Sequence, residues 1–138
     1  MPAKDKYHDT VRHALEKDNW KITDDPFSLK IGERDAFIDI GAEKLFTAEK
    51  EGRKIAVEVK SFIGNSAIAD LQNALGQFVF YQDFLAEIEP ERVLFLAVRQ
   101  KVFVNLFQEP VGVKFLENKR LRLLVFDEIS EEIIEWIN

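Results

Sequence analysis

Two stretches of this chain, residues 93–98 (VLFLAV) and 121–126 (LRLLVF), are apolar at nearly every position, with Arg122 the interruption. Side chains alternate across a strand, so a strand can be apolar throughout only where both its faces are covered. The first run is therefore predicted as a central, parallel strand, and the second as a similar one. Parallel neighbours cannot be joined by a tight turn, and the roughly 22 residues between the runs suffice for a crossover that includes a helix. Layered α/β architecture follows from that pair alone.

The remaining elements fit around it. Tyr7, Val11, Ala14 and Leu15 fall at i, i+4, i+7 and i+8, which predicts a helix from about Asp5 to Lys17. Residues 20–23 read as a short strand, and Asp24-Asp25-Pro26 as a turn. Residues 37–41 form a short apolar stretch broken by Asp39. Residues 45–49 and 54–60 are strands joined through Glu51-Gly52-Arg53, which predicts a β-hairpin. Gly64-Asn65-Ser66 offers caps for a helix over 67–88. Its stripe is Leu71, Ala74, Leu75, Phe78, Gln82 and Leu85, with Gln82 the polar interruption. Residues 101–107 are ambiguous, because Val102, Val104 and Leu106 also fit a strand, and Pro110 breaks what precedes it. A last helix is expected from Ser130 as N-cap, stapled by Ile129 and Ile134 and buried through Ile133, Trp136 and Ile137. The sum is one domain over 1–138, a mixed α/β sandwich with a partly antiparallel sheet.

Composition narrows the partners. At 138 residues, 46% hydrophobic and 32% charged, the chain can bury a real core. The absence of cysteine excludes disulfides and thiolate zinc sites and makes a reducing cytoplasm the simplest expected location. No signal peptide or membrane span is expected, as no apolar run approaches the ~20 residues needed. The net charge of −6 argues against a broad, non-specific nucleic-acid surface, which needs phosphate neutralisation. A small metal centre built from carboxylates is compatible with that charge.

Within the strand 54–60, Ile55, Val57 and Val59 point one way, and Ala56, Glu58 and Lys60 the other. An acid and a lysine two apart on one face can hold a divalent metal and offset charge on a phosphate. The same pattern also describes an ordinary solvated strand face. Asp39 is the preferred second carboxylate for a shared Mg²⁺, which favours oxygen ligands. Glu43 competes for that role, and the hairpin register decides between them. Gln77, with Asn73 and Tyr81 a turn to either side, could approach the sheet and orient a water or phosphate. His8, Arg12 and Glu16 form a helix row that could carry protons but reads more simply as a salt-bridging face. Asp24 and Asp25 read as turn formers rather than ligands. No Gly-rich phosphate loop, serine-hydrolase elbow or zinc signature is present.

Several segments together resemble the XisH family, the fdxN element excision controlling factors of cyanobacteria. They are His8-x-x-Val11, Ala14-Leu15-x-Lys17-Asp18-x-Trp20-x-Ile22-Thr23-x-Asp25-Pro26, Ile38-Asp39-Ile40-Gly41-Ala42-Glu43, Ala48-Glu49-Lys50, Lys54 through Phe62, and Ala74-Leu75-Gly76-Gln77-Phe78. The resemblance implies a part in programmed excision of a DNA element, alongside a XisI partner and a site-specific recombinase. It also implies the restriction-endonuclease-like fold of the PD-(D/E)xK superfamily. On that pattern Asp39, Glu58 and Lys60 take the acid, acid and lysine positions, Gln77 matches a helix glutamine, and Mg²⁺ is the cofactor. Two departures stand out. No Pro-Asp pair precedes the hairpin, and the first-helix glutamate of many nucleases has only His8 or Glu16 as stand-ins. Two functions are thus expected: a Mg²⁺-dependent endonuclease-like protein, or a non-catalytic regulatory subunit acting through a XisI-like partner. DNA contact and homo-oligomerisation are open in either case.

Overall fold

The computed structural model describes residues 5–35 and 45–138. Asp39 and Glu43, with the stretch 37–41, lie outside them. Helix α1 (His8–Lys17) leads into strand β1 (Lys21–Asp24), followed by a small ribbon of β2 (Lys30–Ile31) and β3 (Arg34–Asp35). Then come β4 (Leu45–Lys50), β5 (Arg53–Val59), α2 (Ala67–Ile88) and β6 (Arg92–Arg99). The crossover holds α3 (Gln100–Val102), a π-helical turn (Phe103–Phe107) and α4 (Pro110–Glu117), and β7 (Leu123–Asp127) and β8 (Glu132–Ile137) close the chain. The main sheet has six strands in the order β1-β4-β5-β6-β7-β8. β6 sits inside it, parallel to both β5 and β7, as its two-sided apolar sequence requires.

The β4–β5 hairpin closes through Glu51 and Gly52 (φ 52° and 78°), with Lys50 facing Arg53. Two successive positive-φ residues make the turn whose twist matches its flanking strands, and Gly52 adopts that conformation without steric cost. On α2, the Ser66 hydroxyl accepts the Ala69 N–H (3.1 Å) as an N-cap. Two polar interruptions noted in the sequence meet each other: Arg122 Nη1 donates to Gln82 Oε1 (3.0 Å).

The sheet separates two apolar layers. On one face Val11 and Leu15 of α1 pack with Trp20, Phe46, Ile55, Val57, Val59, Phe95 and Phe126. On the other, Ala56, Leu94, Leu96 and Val98 pack under Leu71, Ala74, Phe78, Tyr81 and Leu85 of α2. Residues 101–107 are helical, not a strand, and Val102, Leu106 and Phe107 join the α2 layer. Pro110 starts α4, where its missing N–H costs nothing. Gly112 lets α4 lie against the Leu106 carbonyl, where a Cβ would collide.

The C-terminus departs from expectation. Residues 132–137 form an antiparallel strand on β7, not a helix from Ser130. Asp127 Oδ1 accepts the N–H groups of Ile129 (2.8 Å) and Ser130 (3.1 Å), which folds the chain back in an Asx turn. Ile129 is 90% exposed and staples nothing, and Ile134 is exposed as well. The helical spacing has a physical source. Phe126 pairs with Ile133 and Val125 with Glu135, so Ile134 is an extra residue in a bulge. Ile133 and Trp136, three apart, therefore face the same layer within a strand.

Candidate functional site

Glu58 lies near the carboxyl end of β5, paired in register with Leu45 and Leu96. Ala56 faces α2, so alternation turns Glu58 to the same side. The ladder continues one residue further, with the Lys60 N–H donating to the Ala97 carbonyl (3.2 Å), which carries Lys60 onto that face too. Glu58 is 0% exposed, and Lys60 and Gln77 are each 9%. A solvated Glu-Lys strand face is thereby excluded. Gln77 sits on α2 among buried Ala74, Phe78 and Tyr81, while Asn73, one turn before, is exposed. The buried stripe of α2 is rotated from its sequence expectation: it takes in Gln77 and Tyr81 and leaves Leu75 and Gln82 half-buried.

Glu58, Lys60 and Gln77 thus share the layer between the sheet and α2. Asp39 and its alternative Glu43 lie outside the described residues. Among the described residues, no group of three His, Asp or Glu side chains is placed to hold a metal.

The segment after Lys60 is fixed from several directions. Ser61 N–H donates to Asp5 Oδ2 (3.0 Å), and Arg99 Nη2 donates to the Ser61 carbonyl (2.9 Å). Arg99 also approaches Glu128 (3.3 Å) and lies over the Tyr7 ring at 4.9 Å. Phe62 has φ 55°, uncommon for a non-glycine residue. Gly64 N–H donates to Asp70 (3.0 Å), closing the loop before Ser66.

A second polar group lies across the sheet. His8 is 1% exposed, and its Nε2 donates to both carboxylate oxygens of Asp25 at 2.9 and 3.0 Å. Arg12 Nη1 donates to Asp25 Oδ2 at 2.7 Å. Burial pushes the Asp25 carboxyl up, but the hydrogen bonds and charges of His8 and Arg12 outweigh it and hold the group below its ordinary value. The His8 ring packs edge-on against Phe46, on the α1 side of the sheet. Glu16 stays at the surface near Arg12 (3.9 Å). Neither possible stand-in for a first-helix glutamate shares the Glu58 layer. Asp24 and Asp25 are also more than turn formers, since Asp24 accepts from Thr47 Oγ1 (2.8 Å). The sequence signal for Asp25 was the His8–Arg12 pair at i, i+4, whose partner lay 13 residues beyond Arg12.

The family model for XisH protein matches residues 1–134. The chain belongs to the XisH family. Two solved structures share its fold at high similarity. A crystal structure of an fdxN element excision controlling factor protein from Anabaena variabilis is 41% identical, with a TM-score of 0.86, covering 96% of this chain and 98% of that one. A XisH family protein from Nostoc punctiforme is also 41% identical, with a TM-score of 0.88, covering 97% and 100%. No curated protein matches the sequence. Among the described residues of this XisH chain, no helix is long and apolar enough to cross a membrane.

Proposed function

We propose that this chain is a controlling factor for excision of a DNA element by site-specific recombination. In this proposal the end of β5 is a Mg²⁺-dependent, nuclease-like centre of the PD-(D/E)xK kind. Membership of the XisH family and likeness to an fdxN element excision controlling factor support the first part. The observation that carries the second is the full burial of Glu58 at a strand end, with Lys60 and Gln77 in the same layer. Burying a carboxyl group is costly, and one buried at the carboxyl end of a parallel strand stands where α/β sheets present groups to ligands.

Mg²⁺ takes hard oxygen donors and keeps several waters, and the Glu58 carboxylate fits as one such donor. Glu58 would hold the ion together with Asp39 or Glu43. When bound, the ion would polarise a phosphodiester oxygen and make a nearby water more acidic. Lys60 places a positive charge where negative charge grows on the phosphate, and the Gln77 amide orients the attacking water or the phosphate. The absence of cysteine is consistent with action in a reducing cytoplasm.

A second reading is a regulator that keeps the fold without cutting and acts through a XisI-like partner and a recombinase. The net charge of −6 favours it, as do the exposed Ile68, Phe80 and Ile88 of α2. Incubation of the purified chain with DNA and Mg²⁺ separates the two. The nuclease reading expects metal-dependent cleavage that falls at least about 100-fold in Glu58→Ala and in Lys60→Ala, with circular dichroism unchanged. Cleavage by both variants at the wild-type rate contradicts it. A wild-type chain that never cleaves but forms a stable complex with a XisI-like protein supports the regulator.

A further inference from the structure

The parallel strands β5 and β6 end side by side, and open α/β sheets commonly bind ligands outside the carboxyl ends of such strands. A cleft of ≈ 470 Å³ opens there, walled by the loop after Lys60 and by the helical segment after β6. That volume lies in the range of small-molecule sites. One wall is apolar, with Phe62 half-buried and Ile63 61% exposed. The other carries Lys101 and Asn105, both exposed, on α3 and the π-helical turn. Neither side chain has a hydrogen-bond or ion-pair partner among the described residues. Arg99 closes the floor, its charge directed to Glu128 and Ser61.

We propose that this cleft takes one unpaired nucleotide of a DNA strand, its base against Phe62 and Ile63, its phosphate on Lys101 and its base edge on Asn105. The proposal rests on the nucleic-acid reading above and names the substrate form it would favour. An apolar wall beside one exposed cation and one exposed amide is complementary to a base with its phosphate, and a base face binds such a wall without sequence preference. A duplex keeps its bases stacked and would have to extrude one to use the cleft. The loop is already ordered by Asp5, Arg99 and Asp70, so little entropy is lost when a ligand settles against it. Because the cleft begins two residues after Lys60, a strand anchored in it runs beside the Glu58–Lys60 end of β5.

The test is fluorescence anisotropy of the full chain with a labelled oligo(dT) in EDTA, which removes any contribution from metal or cleavage. Lys101→Glu and Asn105→Ala are each expected to weaken binding about tenfold, as loss of a single phosphate or base contact does. Lys119→Glu, in the turn before β7 at the far end of the parallel strands, should leave it unchanged. Unlabelled duplex should compete less well than unlabelled single strand. Binding equal in all variants, no binding by the wild type, or equal competition by duplex would each overturn the proposal. Metal-dependent cleavage with cleft variants that bind normally removes the cleft proposal alone. Oligo(dT) binding that depends on Lys101, in a chain that never cleaves DNA, removes the nuclease reading alone.

Discussion

On the α1 face of the sheet, buried charge is closed upon itself. Asp25 is held by His8 and Arg12 at 2.7–3.0 Å, and all three belong to the joint between α1 and the end of β1. On the α2 face, Glu58 and Lys60 are also buried but sit at the end of a parallel strand, with Gln77 of α2 in the same layer, where the chain opens into a cleft. The first arrangement resembles a structural ion pair, stabilised by its own partners and costly to break. The second occupies the position where α/β sheets present groups to ligands. Burial of charge alone does not identify a functional site; its place in the topology does.

Removing a member of the closed cluster should have the largest effect on stability. Asp25→Ala leaves the buried His8 without its acceptor and is expected to cost about 2–3 kcal/mol in urea unfolding, moderated because Arg12 is partly exposed. A loss below about 0.5 kcal/mol would remove the distinction between the two faces. The pH dependence follows the same carboxyl. Since its folded-state pKa is lowered from 3.8, its stabilisation is complete above that value and fades as pH falls below it. Asp25→Asn should therefore be less stable than the wild type at neutral pH, and the gap should close in acid. A constant gap down to the acid transition would assign the cluster no electrostatic role.

Glu58→Gln, nearly isosteric, is expected to change stability by less than about 1 kcal/mol, because groups kept for function are seldom the ones that hold a fold together. A loss as large as that of Asp25→Ala would make Glu58 a structural residue. The smallest effect belongs to Ile129→Ala, expected within about 0.5 kcal/mol of the wild type in thermal melts because the side chain is in solvent. A marked loss would restore the hydrophobic staple and a C-terminal helix.

Much of the sheet was legible in the sequence because its signals are local. The two-sided apolar runs marked β6 and β7, alternation marked β5, and the Ser66 cap fixed the start of α2. Glu58, Lys60 and Gln77 were legible as candidates from spacing and resemblance, but their burial was not, since it depends on which face α2 covers. Three features were hidden for physical reasons. The β8 bulge gave a strand the i, i+3 spacing of a helix. The Asp25 cluster depends on the folding of β1 back against α1, which local pattern does not report. Residues 101–107 alternate like a strand yet are helical, because Val102, Leu106 and Phe107 fill the α2 layer at helical spacing.

The most direct test of the contrast between the faces is anomalous diffraction from a crystal soaked with Mn²⁺. The account predicts an ion on the Glu58 carboxylate, shared with Asp39 or Glu43, and none at Asp25, whose oxygens are already taken by His8 and Arg12. An anomalous map with no peak within coordination distance of Glu58 would contradict it.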